Sequence, residues 1–205
     1  MNEVWIVNIL VSSVGGQGGL TLSRVLATAS VLSGYSVRTG ETLGMAQRFG
    51  SVVSYVRIGI AEEVYSPLFD IGEAHYMVCM EIIECARSLK YLSSNGLLIL
   101  DKEIKPPTSM TVTGSGPGVK EELLKGIKEA VGSDRFLSIP AKEIALRLGA
   151  PRTANMVLLG ALNSVSKLFK DEIIAEAITY SLSSKAVKPS ILAYNEGVNY
   201  VRALD

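Results

Sequence analysis

The sequence is poor in the side chains that most often bind metals or act as nucleophiles and bases. Its 205 residues include a single histidine, His75, and two cysteines, Cys79 and Cys85. An iron–sulfur cluster is held by about four cysteines, so this chain has too few for one. Cys79 falls at the predicted end of a strand and Cys85 in the next helix, which favours ordinary buried thiols over a shared metal site. His75 precedes an apolar run, so we expect a strand-edge histidine, no metal site and no catalytic residue.

An excess of charge of one sign and a long apolar run are also missing. Lys plus Arg and Asp plus Glu are 20 each, so the net charge is zero, which argues against a nucleic-acid-binding protein with a broad basic field. The most apolar run, Met156–Leu162, is far shorter than the roughly 20 residues that cross a bilayer. The first residues carry no basic segment of a secretory signal. We therefore expect a cytoplasmic protein with no membrane and no nucleic-acid partner.

Apolar residues, by contrast, are abundant, and their spacing predicts the fold. Hydrophobic residues make up 48% of the chain and mean hydropathy is +0.31, which indicates a large core and a permanent subunit interface, with a homo-oligomer as one form of it. Strands are predicted at 4–12, 35–39, 51–58, 76–80, 97–100 and 136–139, and helices at 22–33, 81–92 and 120–131. A polar loop is predicted over 40–50 and a turn at Asn95-Gly96.

Only helices are predicted after residue 140, at 155–167, 171–182 and 189–203. The first of them is apolar nearly all round and should be buried on more than one side. Strands that alternate with helices predict an α/β fold: a three-layer, Rossmann-like, doubly wound and mostly parallel sheet with a helical C-terminal third. We expect one domain over residues 1–205, in which the helical part, 141–205, packs on the sheet part, 1–140.

A glycine-rich turn follows the first predicted strand. Residues 13–18, Ser-Val-Gly-Gly-Gln-Gly, overlay the dinucleotide fingerprint with serine in place of its first glycine. Backbone N–H groups at such a helix start can hold a phosphate or another anion. The NAD-binding version also needs an acidic residue at the end of strand two, and Glu41, 23 residues after Gly18, lies beyond that strand's predicted end. The turn is therefore a tight structural turn, a site for a phosphate-bearing ligand or a partner-docking loop.

A second polar cluster lies in the predicted loop over 40–50. Glu41, Gln47 and Arg48 bring a carboxylate, an amide and a guanidinium into it. Loops after the first two strands of a doubly wound sheet meet at the carboxyl edge, so we expect Gln17, Glu41, Gln47 and Arg48 to converge there, with Gln17, Gln47 and Arg48 near one cleft. Arg48 can bind a carboxylate or phosphate with two hydrogen bonds. The alternative is a solvated loop with a weak Glu–Arg pair.

Together these two motifs resemble a known family. Gly-Gly-Gln-Gly at residues 15–18, Gly-Met-Ala-Gln-Arg at 44–48 and Pro-Arg-Thr-Ala-Asn-Met at 151–156 are similar to the gamma-type domain of the 2-oxoacid:ferredoxin oxidoreductases. Within that family the similarity is greatest to the small (beta) subunits of the indolepyruvate ferredoxin oxidoreductases. Two positions depart from the family's His-Gly-Met-Ala-Gln-Arg-Gly-Gly pattern: Leu43 replaces the histidine and Phe49 replaces a glycine.

The resemblance implies a division of labour. It implies a large partner subunit that carries thiamine diphosphate, Mg²⁺ and iron–sulfur clusters, ferredoxin as electron acceptor and coenzyme A as co-substrate, with no cofactor bound by this chain alone. The isolated chain is then inactive. The candidate ligand- or partner-binding residues are Gly15, Gly16, Gln17, Gly18, Gly44, Gln47, Arg48 and Asn155. Two alternatives stay open: a non-catalytic homodimeric assembly protein of the same family, and a freestanding Rossmann-type oxidoreductase that binds NAD or flavin.

Overall fold

A computed structural model describes residues 5–44, 50–103 and 118–204, with the side chains of Trp5 and Val119 excepted. Its centre is a six-stranded sheet. The strands are β1 (Trp5–Val14), β2 (Ser36–Leu43), β3 (Ser51–Ile60), β4 (Ala74–Cys79), β5 (Leu92–Asp101) and β6 (Phe136–Ile139). Their order across the sheet is β2-β3-β1-β4-β5-β6. The prediction of a mostly parallel α/β sheet is confirmed.

Strand β3 runs against the other five strands of this sheet, a feature that the sequence interpretation did not predict. It pairs antiparallel with both β1 and β2, whereas β4, β5 and β6 extend the sheet from β1 in parallel. Strands β1 and β2 therefore point the same way and end at the same edge, with β3 between them. The physical reason is the short connection from β2 to β3, because a parallel pair needs a crossover of a dozen or more residues.

Helices cover both faces of the sheet. They are α1 (Gly19–Leu32), α2 (Ile82–Ser88), α3 (Val119–Val131), α4 (Ala141–Arg147), α5 (Ala154–Ser166), α6 (Asp171–Ser181) and α7 (Ser184–Arg202). One core joins α1 and the C-terminal helices to side chains such as Val7, Ile9 and Val11 of β1. The other joins α2 and α3 to alternate side chains, of which Leu10 is one. Strand β1 is buried on both faces, as its continuous apolar run predicts.

Two local predictions are wrong. Strand β2 does not end at residue 39 but continues to Leu43, because its pairing with β3 stays in register as far as Leu43 and Val52. Glu41 therefore lies in a strand and not in a loop. Asn95-Gly96 does not form a turn either: both residues lie inside β5, next to a register shift against β4. A bulge of this kind absorbs the glycine without interrupting the strand.

The C-terminal helices agree with the predicted pattern. Helix α5 is buried along its length from Asn155 to Ser164, which confirms the prediction of burial on more than one side. Helix α7 begins at Ser184 and so contains Pro189 in its second turn instead of starting there. Helices α5 and α7 cross at two glycines, Gly160 and Gly197, where a Cβ atom on either would overlap a backbone carbonyl of the other helix. Among the described residues, no helix is long and apolar enough to span a membrane.

The two cysteines are free and buried, as predicted. Burial raises the pKa of the Cys79 thiol well above its ordinary value, and a hydrogen bond with the Cys85 thiol adds to the effect. Because both thiols are fully buried and the reactive thiolate of Cys79 is disfavoured, neither thiol should react with a disulfide reagent near pH 8 while the chain is folded. Both should react within seconds in guanidinium chloride. A fast native-state reaction of either thiol would show that the β4–α2 junction opens readily.

Candidate functional site

A cavity of about 650 Å³ opens at the carboxyl ends of β1, β4 and β5. Its floor includes Met80, Asp101 and Glu103, and its walls include the glycine turn before α1 and the segment 149–156 before and within α5. The chain leaves β1 toward β2 on one side and resumes with β4 on the other. The cavity therefore lies at the topological switch point, where ligands of doubly wound sheets usually bind.

Gln17 ties the two strands at this switch point together. Its Oε1 accepts the backbone N–H of Val14 at 2.7 Å, and its Nε2 donates to the carbonyl of Met80 at 2.9 Å. The same Nε2 lies 3.5 Å from a carboxylate oxygen of Glu103. The amide thus fixes the end of β1 against the end of β4 and holds one wall of the cavity.

The glycine turn and the start of α5 are joined by Asn155. Its Nδ2 donates to the carbonyl of Gly18 at 3.1 Å, and its Oδ1 accepts the N–H of Met156. Gly16 and Gly18 have φ values of 93° and 92°, in the region that favours glycine. A Cβ atom on Gly18 would lie 2.7 Å from Asn155 Nδ2. The structure therefore brings four of the candidate residues, Gly16, Gln17, Gly18 and Asn155, to one cavity.

The first turn of α1 is the part of the cavity best suited to an anion. Gly18 precedes the helix as a cap residue without a side-chain hydrogen bond, and the first turn holds no acidic residue, so no side chain neutralises the positive end of the helix dipole there. Gly18 and Thr21 line the cavity. Lys142 and Arg152 add two positive charges to the lining. Two acidic residues, Asp101 and Glu103, also line the cavity and offset these positive charges when they are ionised. The cavity thus combines an uncapped helix start with charges of both signs.

Asp101 is the most deeply buried of these charged groups, with 2% of its surface exposed. It ends β5, and its Oδ1 accepts the N–H of Ala141 at the start of α4, at 3.1 Å. Burial raises the pKa of Asp101 to about 7, and the charge of Glu103 adds to this, although backbone N–H groups that include those of Lys142 and Ala141 oppose it. Asp101 is therefore a carboxyl group that changes its charge near neutral pH.

Asp101→Asn should make the stability of the chain depend less on pH. The folded-state pKa lies above the ordinary value of 3.8, so the folded chain binds this proton more tightly and loses stability as pH rises from about 4 to 7. Asparagine keeps an oxygen for the Ala141 N–H but does not ionise. We expect the variant to gain about 2–4 kcal/mol over the wild type between pH 4 and pH 8 in urea unfolding. Asp134→Asn, which alters an exposed carboxylate, is the matched control; an equal gain at both pH values would contradict the account.

Comparison with known proteins identifies the family of the chain. The family model of the pyruvate ferredoxin/flavodoxin oxidoreductases matches residues 8–200. The chain belongs to this oxidoreductase family. The indolepyruvate oxidoreductase subunit IorB of Thermococcus kodakarensis is 34% identical over 198 residues, or 96% of each chain, and that of Pyrococcus horikoshii is 35% identical over 199 residues, again 96% of each. The resemblance inferred from the motifs is confirmed.

Solved structures show that the fold is shared more widely. The gamma subunit of a keto/oxoacid ferredoxin oxidoreductase from Geobacter sulfurreducens superimposes with a TM-score of 0.69 at 20% identity, over 96% of this chain and 99% of that one. The 2-oxoglutarate:ferredoxin oxidoreductase of Magnetococcus marinus, solved with 2-oxoglutarate, coenzyme A and succinyl-CoA, superimposes with a TM-score of 0.73 at 16% identity, over 99% of this chain and 32% of that one. At these identities the similarity concerns the fold alone.

The remaining candidate residues of this oxidoreductase chain lie around the loop between β2 and β3. The Gly44 N–H donates to the carbonyl of Ser51, and the Gly15 N–H donates to the carbonyl of Gly50. Both ends of the loop therefore lie at the edge of the sheet that carries the glycine turn. Gly44 and Gly15 are not part of the cavity lining. Gln47, Arg48 and Phe49 lie outside the described residues, so the convergence of Gln47 and Arg48 with Gln17 stays a prediction.

Glu41 and His75, the two other polar side chains considered from the sequence, lie away from the cavity lining. Glu41 is exposed on β2 and separated from β1 by β3, which places it away from the glycine turn that a ribose-binding carboxylate must adjoin. His75 lies in β4, where its Nδ1 accepts the N–H of Asn8 at 3.0 Å and burial lowers its pKa. Within the described ranges, no three His, Cys, Asp or Glu side chains lie close enough together to hold a metal ion.

The sequence interpretation missed the charged part of this family member's cavity. Asp101, Glu103 and Lys142 were not among the candidates, and Arg152 was noted only as part of a motif. A signal for Asp101 was available, because it ends an apolar strand at the predicted carboxyl edge. Lys142 gave none, since nothing in the sequence shows that the start of α4 reaches the same opening as α1.

Proposed function

We propose that this chain is the small subunit of a thiamine-dependent 2-oxoacid:ferredoxin oxidoreductase that converts indolepyruvate, or a related aryl oxoacid, to an acyl-CoA. Two indolepyruvate oxidoreductase subunits match it at 34% and 35% identity along nearly the whole chain, which favours this substrate class. A gamma subunit common to pyruvate and ketoisovalerate oxidoreductases, from Thermococcus kodakarensis, is 29% identical. The aryl preference is therefore the part of the proposal that needs direct measurement.

The cavity at the switch point carries the proposal for what this subunit contributes. Its volume of about 650 Å³ lies within the range of small-molecule sites, and the first turn of α1 with Lys142 and Arg152 suits a phosphate-bearing ligand. Coenzyme A is the phosphate-bearing co-substrate of the proposed reaction. We assign its binding, in part, to this cavity. Gln17 and Asn155 then act by holding the glycine turn in place.

The reacting groups belong to the partner subunit in this proposal. Thiamine diphosphate with Mg²⁺ supplies the decarboxylation, and iron–sulfur clusters pass the electrons to ferredoxin. This chain has two cysteines in all, fewer than a cluster takes, and both are buried against each other. The residues present therefore fit a subunit that binds and orients a substrate. A homo-oligomer of the chain on its own stays a prediction.

Charge removal tests the assignment of the cavity. In the complex reconstituted from this chain and its large subunit, Lys142→Gln and Arg152→Gln should each raise the KM for coenzyme A about tenfold and leave the KM for the oxoacid unchanged. Lys125→Gln is the control, because Lys125 lies on α3, on the opposite face of the sheet, and is exposed. Equal KM values for coenzyme A in all three variants would remove coenzyme A from this cavity.

The substrate class is tested separately in the same complex. We expect kcat/KM for indolepyruvate to exceed that for pyruvate and for 2-oxoisovalerate by at least about tenfold, a difference of about 1.4 kcal/mol in transition-state stabilisation. The measurement is the rate of dye reduction with each oxoacid in turn. A higher value for an aliphatic oxoacid would leave the subunit assignment in place and overturn the aryl preference.

A further inference from the structure

The cavity poses an electrostatic problem that the proposed function does not solve. A phosphate-bearing ligand has to enter a space whose floor carries the carboxyl groups of Asp101 and Glu103. Among the described residues of the lining, the charged groups are these two acids together with Lys142 and Arg152, and the charges of these four groups cancel when all are ionised. An additional anion next to a buried carboxylate is opposed by their mutual repulsion.

We propose that the binding of a phosphate-bearing ligand in this cavity is coupled to the uptake of a proton by Asp101. The inference rests on the proposed function and adds a proton linkage to it. Asp101 is placed for this role because it is nearly fully buried at the end of β5. Its Oδ1 already accepts the N–H of Ala141. That hydrogen bond can remain when the proton binds to the other carboxyl oxygen, Oδ2.

The groups around Asp101 include some that favour its ionised form and some that disfavour it. From its own strand end, Glu103 disfavours the ionised form, as does burial. From α4, the backbone N–H groups of Ala141 and Lys142 favour the ionised form. No ion pair of Asp101 with Lys142 or Arg152 lies within 4 Å in the part of the chain that the structure describes. Because the pKa of Asp101 is about 7, the carboxyl group is near half protonation at pH 7 when no ligand is bound.

The size of the linkage follows from this balance. If the bound ligand raises the pKa of Asp101 by about one unit, about 0.4 proton is taken up per ligand at pH 7, and affinity falls about fivefold between pH 6 and pH 8. Glu103 lies near the same strand end but is partly exposed, whereas Asp101 is nearly fully buried. In this proposal the proton binds to Asp101, so one substitution should remove the uptake.

Isothermal titration of the complete chain with coenzyme A tests the proposal. Titrations near pH 7 in two buffers with different ionisation enthalpies measure the protons taken up. We expect about 0.4 for the wild type, about zero for Asp101→Asn, and an uptake retained in Glu103→Gln. Asparagine preserves the Ala141 hydrogen bond, and the wild-type measurement stands on its own if that variant does not fold.

The outcomes separate this inference from the function on which it rests. Binding without proton uptake in the wild type, or uptake that persists in Asp101→Asn, would overturn the proton linkage and leave coenzyme A in the cavity. No binding of coenzyme A at any pH between 6 and 8, either to the chain or to its complex with the large subunit, would overturn both. A proton uptake that disappears only in Asp101→Asn would support both.

Discussion

Gly160→Ala is expected to lower the free energy of unfolding by about 3 kcal/mol or to prevent folding. A Cβ atom at this position would overlap the carbonyl oxygen of Tyr194 and would lie 3.0 Å from the backbone N of Val198. These atoms belong to the backbone of α7 and cannot move aside as a flexible side chain does. Helices α5 and α7 would have to separate, and the core between them would lose its packing.

Gly197→Ala should have a similar effect from the other helix, because its Cβ atom would overlap the carbonyl of Val157. The matched control is Gly126→Ala. Gly126 lies in α3, and no atom lies within 4 Å of the position that a Cβ atom would take there, so alanine should stabilise the chain by about 0.5–1 kcal/mol. Urea unfolding followed by circular dichroism measures all three. If Gly160→Ala changed the free energy of unfolding no more unfavourably than Gly126→Ala, helices α5 and α7 would not be in close contact.

Gly18→Ala is expected to lower the free energy of unfolding by about 2–3 kcal/mol. Alanine at a φ of 92° costs about 1–2 kcal/mol. Its Cβ atom would also lie 2.7 Å from Asn155 Nδ2 and displace the hydrogen bond that Asn155 donates to the Gly18 carbonyl, worth about 1 kcal/mol. Gly16→Ala is the matched variant, because Gly16 has nearly the same φ and open space around it.

The difference between these two variants measures the contact with Asn155. We expect Gly18→Ala to cost about 1 kcal/mol more than Gly16→Ala, and this excess to disappear when both are made in an Asn155→Ala background. In the assembled enzyme Gly18→Ala should also raise the KM for coenzyme A, since α1 begins at this residue. If the additional cost of Gly18→Ala remained in the Asn155→Ala background, it would come from the backbone of the turn and not from the contact with Asn155.

Local patterns predicted much of the fold. The apolar run of β1, the glycine turn and the spacing of α1 follow one another in the sequence, so a strand, a turn and a helix could be identified together. Gly34 marks the end of α1, where its φ of 74° and the hydrogen bond from Tyr35 N–H to Ser30 form a common helix terminus. The burial of α5 was visible because it has no polar face.

Features that depend on distant contacts could not be predicted in this way. Strand β3 lies between β2 and β1 and so separates Glu41 from the glycine turn. This position becomes known only from the pairing of the three strands. The charged lining of the cavity comes from the end of β5, the start of α4 and the segment before α5. The first two are about 40 residues apart and share no motif. Asn155 was a candidate through the family resemblance, but its hydrogen bond to Gly18 joins segments separated by 137 positions.

The most direct test of the account is the oxidation of a 2-oxoacid by separated and recombined subunits. Dye reduction driven by indolepyruvate and coenzyme A should be absent with this chain alone, absent or weak with the proposed large thiamine-dependent, cysteine-rich subunit alone, and restored when the two are combined. Robust activity of the pure 205-residue chain, or full activity of the large subunit without it, would contradict the role proposed for this protein.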